Sequence, residues 1–382
     1  MPIRRRVPFR LGAVCLIAVC LTAATPPGPP ADRGLQHQLD DLVRRPDGPP
    51  GVIAVLSDGR KSRVLRAGVA DLDTGRRPGA HDHMRIASTA KAFSGAVALS
   101  LVGLGDLDLD DTVGKRLPGL PKAWHAVTLR QLLNHTSGLP DFSESPEFLR
   151  ILRADPRHRF DSRRLLDYVA GRRLRFAPGS RYQYSNSDNI AVALMAEAVT
   201  GTRYERLLGE LVYAPLGLRR TSLPQGYRMP GPYLHGYAVV PPPAEDVSEV
   251  IGMSGVWASG GIVSTPVDMT RFVRGYAGGR LYGQDVVREQ RTWVSGASEP
   301  AGPGRNDAGL GIFRYKTRCG IVLGHTGNTP GYTQLIAATP DGRQSLTFST
   351  TTQINQRVAP DLLQQLRAVQ ENFVCALLRP KG

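Results

Sequence analysis

The stretch from Ile86 to Gly105 contains a single charged side chain, Lys91. Small and aliphatic residues fill the rest, so a helix over Ser88–Val102 is apolar on nearly every face and belongs inside a core. The stretch is too short to span a membrane. A lysine in that setting is costly as a cation. Desolvation lowers its pKa, and the positive end of the helix opposes further positive charge. Ser88 stands three positions before Lys91, a spacing that puts both on one helix face. A serine hydroxyl is a weak nucleophile until a neighbouring base takes its proton. The tetrad Ser88-Thr89-Ala90-Lys91 therefore reads as a nucleophile with a base beside it. Ser-x-x-Lys arises readily by chance; the solitary buried lysine is what singles this one out.

The 382 residues, 41% of them hydrophobic, suffice for one large domain or two interleaved ones. Helix patterns are expected at Gln36–Val43, Leu129–Asn134, Ser162–Val169, Asn186–Val199, Tyr204–Tyr213, Thr265–Tyr276 (with Thr265 as cap before Pro266) and Ala359–Leu378. Strands are expected at Val52–Leu56, Ser62–Ala70, Leu310–Tyr315, Ile321–His325, Thr333–Ala338 and Ser345–Thr351. Strands at both chain ends with helices between them predict an α/β fold of α+β type. An antiparallel sheet flanked by helices would come from residues 36–104 and 244–382, with an all-helical insertion over 105–243.

The first residues read as an export signal, 1–24: Arg4, Arg5, Arg6 and Arg10, an apolar run from Leu11 to Ala24, and a small-residue cleavage site at Thr22-Ala23-Ala24. A Pro-rich linker follows over 25–35. The apolar run is too short for a stable membrane anchor, and a lipid-attachment reading at Cys20 is disfavoured by the bulky Val19 before it. Removing four arginines and no acids lowers the formal charge from +15 to +11. A basic exported protein is drawn to anionic wall polymers. The arginines are scattered and carry no nucleic-acid-binding motif. Cys15 and Cys20 leave with the signal; Cys319 and Cys375 remain and either pair, as exported cysteines usually do, or stay as a free buried pair. A bond closing that loop contributes on the order of 4 kcal/mol.

Two further clusters could serve the tetrad. Tyr184-Ser185-Asn186 follows Pro178-Gly179 and opens an apolar helix. A phenol beside an ammonium ionises more easily and can relay a proton, and Asn186 can orient both lysine and substrate. Read alone, they are a surface tyrosine and a helix cap. His325-Thr326-Gly327 ends the apolar strand Ile321-Val322-Leu323-Gly324. A substrate backbone could lie along that edge as an added strand, and the N–H of Asn328 could join that of Ser88 in an oxyanion hole. Read alone, His325 is polar punctuation.

In this order the three motifs resemble the serine penicillin-recognising enzymes: D-alanyl-D-alanine carboxypeptidases, class C β-lactamases, related esterases and D-aminopeptidases. The segment Val127-Thr128-Leu129-Arg130-Gln131-Leu132-Leu133-Asn134-His135-Thr136-Ser137-Gly138-Leu139 looks like that family's signature, as do Ala177-Pro178-Gly179 and Gly309-Leu310-Gly311. The resemblance runs from Gln36 to Phe373. It implies an acyl-enzyme on Ser88, Lys91 and Tyr184 as proton carriers, Asn186 and His325 within the catalytic set, and substrate contacts from Thr326, Gly327 and Asn328. It also implies no cofactor, and partners that are peptidoglycan-type D-amino-acid peptides or β-lactams. His-Thr-Gly is similar to secreted D-alanyl-D-alanine carboxypeptidases, which also carry cysteines placed like Cys319 and Cys375. A monomer is expected. The alternatives are a β-lactamase, an esterase, a D-amino-acid peptidase or amidase, and a non-catalytic penicillin-binding protein.

One position departs from the pattern. Those carboxypeptidases have an arginine for the substrate's terminal carboxylate where this chain has Phe313. Arg314 comes next, but adjacent strand residues point to opposite faces. His81-x-His83 lacks a third ligand at metal-binding spacing, so no metal is expected. Gly252-Met253-Ser254-Gly255 has the wrong spacing for a Gly-x-Ser-x-Gly elbow.

Overall fold

The computed structural model describes residues 30–379. The signal read at 1–24, with Cys15 and Cys20, and the linker as far as residue 29 lie outside the described residues. The linker ends sooner than expected, because helix α1 runs over Pro30–Arg44. Proline suits a first helical turn, where its missing N–H would have no intrahelical partner.

Eight antiparallel strands form the main sheet: β1 Gly51–Ser57, β2 Ser62–Gly68, β3 Val294–Ser295, β4 Arg305–Ala308, β5 Phe313–Thr317, β6 Gly320–Thr329, β7 Tyr332–Ala338 and β8 Ser345–Thr350. Their order is β2-β1-β8-β7-β6-β5-β4-β3, so strands from near both ends meet where Val52 pairs with Thr350. β1 is buried along its whole length, and its side chains alternate between two cores. Val52, Ala54 and Leu56 face one core with Leu35, Leu39 and Leu42 of α1 and with Leu362, Leu366 and Phe373 of the last helix, Pro360–Leu378. Ile53 and Val55 face the other, with Phe93, Phe272 and Tyr276. A disulfide joins Cys319, at the turn before β6, to Cys375 in that last helix.

The apolar stretch forms a tight 3-10 turn at Ala87–Thr89 and then helix α2, Ala90–Leu104. Contrary to the sequence expectation, Ala87–Leu104 is long and apolar enough to cross a membrane, but 78% of it is buried inside the fold. Gly105, at φ 82°, ends it in the left-handed region that glycine tolerates. Phe93 stacks on Phe272, ring centroids 3.6 Å apart. Helix α3, Asn186–Thr200, packs beside α2, and helix α4, Pro266–Ala277, is capped by the Thr265 hydroxyl accepting from Asp268 N–H.

Several elements differ from expectation. The insertion over 105–243 is not all helical, since Tyr237–Ala238 pairs as a strand with Glu245–Asp246, and the helix from Tyr204 continues over Gly209–Tyr213 as a π-helix. Residues Ser162–Val169 wind as a 3-10 helix, with buried pairs three apart at Ser162/Leu165 and Leu166/Val169. β5 starts at Phe313 rather than Leu310, because Gly311 turns at φ 67° and lies against Gly95 of α2, where no Cβ fits. β6 does not end at His325; pairing with β7 carries it to Thr329. The third motif is therefore inside a strand.

Candidate active site

Ser88 is only partly buried in a run of buried neighbours. Ala87 before it holds φ 48°, a left-handed conformation that costs a non-glycine residue on the order of 1 kcal/mol. That strain projects Ser88 from the start of the helix. Lys91 is 1% exposed, and its Nζ donates to Ser88 Oγ at 3.1 Å, Asn186 Oδ1 at 2.7 Å and the Ser259 carbonyl at 2.7 Å. Burial pushes the amine down to about 7, against the upward pull of Asp141, Glu299 and Asp188. Near neutral pH it can accept a proton.

Asn186 opens α3, and its orientation is fixed. Its backbone N–H and its Nδ2 both donate to Asp141 Oδ2, at 2.8 and 3.0 Å, and Nδ2 also reaches Ser143 Oγ at 3.0 Å. With the amide nitrogen so engaged, the carbonyl oxygen must face Lys91. Asp141, which sequence reasoning missed, thus aligns Lys91 through Asn186. Ser259 was missed too. It lies four residues beyond the rejected elbow Gly252-Met253-Ser254-Gly255.

The Tyr184 ring centroid is 5.0 Å from Lys91 Nζ. Its hydroxyl faces Ser88, whose proximity eases ionisation, but it forms no hydrogen bond to any described residue. Burial dominates and holds the phenol well above its usual range. The expectation that the neighbouring lysine would ionise it is corrected: Tyr184 stays protonated, suited to donating a proton, while Lys91 is suited to accepting one.

Behind Tyr184 sits a buried polar pair. His135, in the left-handed region at φ 59°, has its ring 4.5 Å from that of Tyr184. Its Nδ1 is 2.8 Å from Asp188 Oδ2, and Ser137 Oγ donates to the other oxygen at 2.5 Å. Burial lowers His135 to about 3 and raises Asp188 well above a normal carboxylate, so the imidazole is neutral. The signature segment held both His135 and Ser137, and their contact with Asp188 was the part missed.

The third motif lines the opposite wall. His325 is buried, and its Nδ1 bonds to the Thr326 carbonyl at 2.6 Å. Burial lowers it to about 3, leaving it neutral. Thr326 Oγ1 donates to the Pro300 carbonyl at 2.6 Å, so that hydroxyl is already engaged. Gly327 presses on the nucleophile turn: a Cβ there would lie 2.2 Å from the Ile86 carbonyl. The Asn328 side chain is fully committed. Its Nδ2 reaches Thr333 Oγ1 and the Ile354 carbonyl, and its Oδ1 accepts from Gln353 and Asn355. What Asn328 can offer a ligand is its backbone N–H.

That backbone is well placed. β5 pairs with β6 only through Gly324, so His325–Thr329 has no strand on that side among the described residues. A two-residue turn joins Thr329 to Tyr332. Counting back from that closing pair, Thr326 and Asn328 direct their N–H and C=O toward the open edge. The arrangement can hold an extended chain and deliver its carbonyl to Ser88.

Phe313 is 2% exposed and packs edge-on against His325, centroids 4.9 Å apart. Arg314 donates from Nε to Asp307 Oδ2 at 2.9 Å. His81 is exposed, and His83 Nδ1 lies 3.1 Å from the Pro232 carbonyl. Among the described residues no group of three His, Cys, Asp or Glu could hold a metal ion.

Residues 39–370 match the protein family described as Beta-lactamase. Penicillin-binding protein 4* of Bacillus subtilis is 25% identical over 74% of this chain and 63% of its own length. A D-aminopeptidase of Brucella anthropi is 38% identical over 46% of this chain and 33% of its own. The chain thus spans less than two thirds of either relative. Among solved structures, the D-stereospecific amidohydrolase from Streptomyces sp. superposes with a TM-score of 0.76 at 30% identity, covering 88% of this chain and 97% of that one. The D-amino acid amidase from Ochrobactrum anthropi SV3 gives 0.79 at 26% identity, over 91% and 99%. Family match, α+β fold and the three convergent motifs agree: the chain belongs to the beta-lactamase family, within the serine penicillin-recognising group.

Proposed function

We propose that this chain hydrolyses amides and peptides of D-amino acids through an acyl-enzyme on Ser88. The observation that carries the reading is Phe313, whose buried ring packs on His325 where a carboxylate-binding arginine was expected. Arg314 is occupied by Asp307. A D-alanyl-D-alanine carboxypeptidase, the first reading of the motifs, has to receive a substrate carboxylate, and Phe313 offers it no cation. The likeness to a D-stereospecific amidohydrolase and to a D-amino acid amidase supports the same direction.

In this reading neutral Lys91 takes the Ser88 proton as Oγ attacks the amide carbon. The oxyanion rests on the N–H groups of Ser88 and Asn328. Tyr184 passes its proton to the leaving nitrogen and regains one from Lys91, so the amine or ammonia departs neutral. Water then attacks the Ser88 ester, its proton returning to Ser88 Oγ by the same relay. Asn186 and Asp141 keep Lys91 aligned throughout.

The test compares D-phenylalanine amide with an N-acylated D-Ala-D-Ala peptide, using wild type and Ser88→Ala. Faster amide turnover, abolished in the variant, supports the reading. Faster D-alanine release overturns it. Fluorescent penicillin gives a second readout: stable label marks a penicillin-binding hydrolase, and rapid turnover marks a β-lactamase. Export through residues 1–24 is part of the proposal, motivated by the arginine-led apolar segment. Cell fractionation with and without those residues tests it.

A further inference from the structure

A short loop, Ala297–Pro300, bridges the second and third motifs. The Ala297 carbonyl accepts from Tyr182 Oη at 2.5 Å, and the Pro300 carbonyl accepts from Thr326 Oγ1 at 2.6 Å. Ser298 Oγ is 3.1 Å from Tyr315 Oη. Glu299 is bracketed by these anchors. Its side chain is exposed and makes no hydrogen bond or ion pair among the described residues. It is nonetheless near enough to Lys91, Tyr182 and Tyr184 to act on each electrostatically.

The other acids around the site are engaged. Asp141 holds Asn186, Glu144 pairs with Arg175, and Asp188 is shared by His135 and Ser137. Of the cations, Lys91 is committed to three oxygens and Arg314 to Asp307. Arg357 is exposed and interacts with Glu299 only at a distance. The uncommitted charge that this loop brings within electrostatic reach of Lys91 and Tyr184 is therefore negative.

Building on the amidase reading above, we infer that Glu299 anchors the substrate's α-ammonium group, so that the site selects D-amino-acid amides and peptides with a free N-terminus. Although solvent reaches the side chain, the protein packed around the loop holds the carboxyl above its usual range, and an ammonium partner relieves that penalty. Phe313, which leaves a substrate carboxylate without a cation, and Glu299, which gives an ammonium an anion, point to the same end of the substrate.

The experiment measures kcat/KM for D-phenylalanine amide and N-acetyl-D-phenylalanine amide with wild type, Glu299→Gln, Glu144→Gln and Arg357→Gln. Wild type should prefer the free amine, and Glu299→Gln should cut that preference by about 30-fold, mainly through KM. Glu144→Gln should keep it. In a Ser88→Ala background, calorimetry should show D-phenylalanine amide binding weakened by a similar factor when Glu299→Gln is added. An unchanged ratio and affinity in Glu299→Gln overturn the ammonium anchor and leave the amidase reading standing. A loss of preference in Arg357→Gln but not in Glu299→Gln also overturns the anchor. Turnover of neither amide by wild type, with D-alanine release intact, overturns both.

Discussion

Lys91 Nζ lies 2.7 Å from Asn186 Oδ1, an oxygen without formal charge. A neutral acceptor orients the amine without stabilising its charged form as a carboxylate would, so burial prevails and brings the pKa to about 7. Activity that needs the free amine should rise through about pH 7 and level off above it. Asn186→Asp places an anion at that distance and should move the rise toward about pH 8 or above. A pH profile of kcat/KM for both proteins checks this; superimposable profiles would sink it.

The same depressed pKa predicts a slope in stability. Between about 7 and the ordinary 10.5, the unfolded chain holds the Lys91 proton and the folded protein does not. Stability from this group therefore rises with pH across that window, and its penalty is fully present at and below about pH 7. Relative to Lys91→Met, wild type should gain roughly 3 kcal/mol from pH 7 to 10. Urea denaturation of both proteins at the two pH values measures it.

Gly327→Ala tests how closely β6 approaches the nucleophile turn. The added Cβ would meet the Ile86 carbonyl at 2.2 Å and Thr89 N at 3.1 Å. Either the strand or the turn must shift, and a displacement near 1 Å costs about 100-fold in rate. The expected result is that loss of kcat/KM in a variant that still folds. Activity within about threefold of wild type would mean that the turn yields without consequence.

The Asp188 network separates a hydrogen-bonding role from a charged one. Asp188→Asn keeps an acceptor and a donor for His135 and Ser137 and should cost about 1 kcal/mol. Asp188→Ala leaves both unpaired and should cost about 2–4 kcal/mol. Equal losses in denaturation would argue against the pairing as the source of stability.

Phe313→Arg restores the residue that the carboxypeptidase pattern calls for, at a position that is 2% exposed against His325. Burying a guanidinium there is costly, and the variant should lose about 3 kcal/mol or more. Release of D-alanine from D-Ala-D-Ala peptides should not improve. An improvement of tenfold or more would show that a carboxylate clamp fits after all.

Most elements were legible because their periodicities were strong. The single lysine in α2 marked a core helix, and Thr265-Pro266 marked a helix start. What stayed hidden depends on tertiary contact. The extension of β6 to Thr329 follows from its pairing with β7, which residue type cannot announce. Ser259 contributes a main-chain carbonyl, which every residue possesses. Asp141 and Glu299 are ordinary loop acids until the fold brings one to Asn186 and sets the other between Tyr182 and Thr326. Motif spacing picked out Ser88, Lys91 and the third motif, which the fold brings together. The residues that align Lys91 and those that choose a substrate had no periodicity to betray them.

The loop that carries Glu299 is fastened by the carbonyls of Ala297 and Pro300. Main-chain oxygens are indifferent to the side chain at the position between them. A substitution at 299 can therefore change the preferred substrate while Tyr182 and Thr326 keep their grip, and the proton relay is inherited untouched. In the proposed reading, substrate choice and proton relay thus sit on separately replaceable parts of the site.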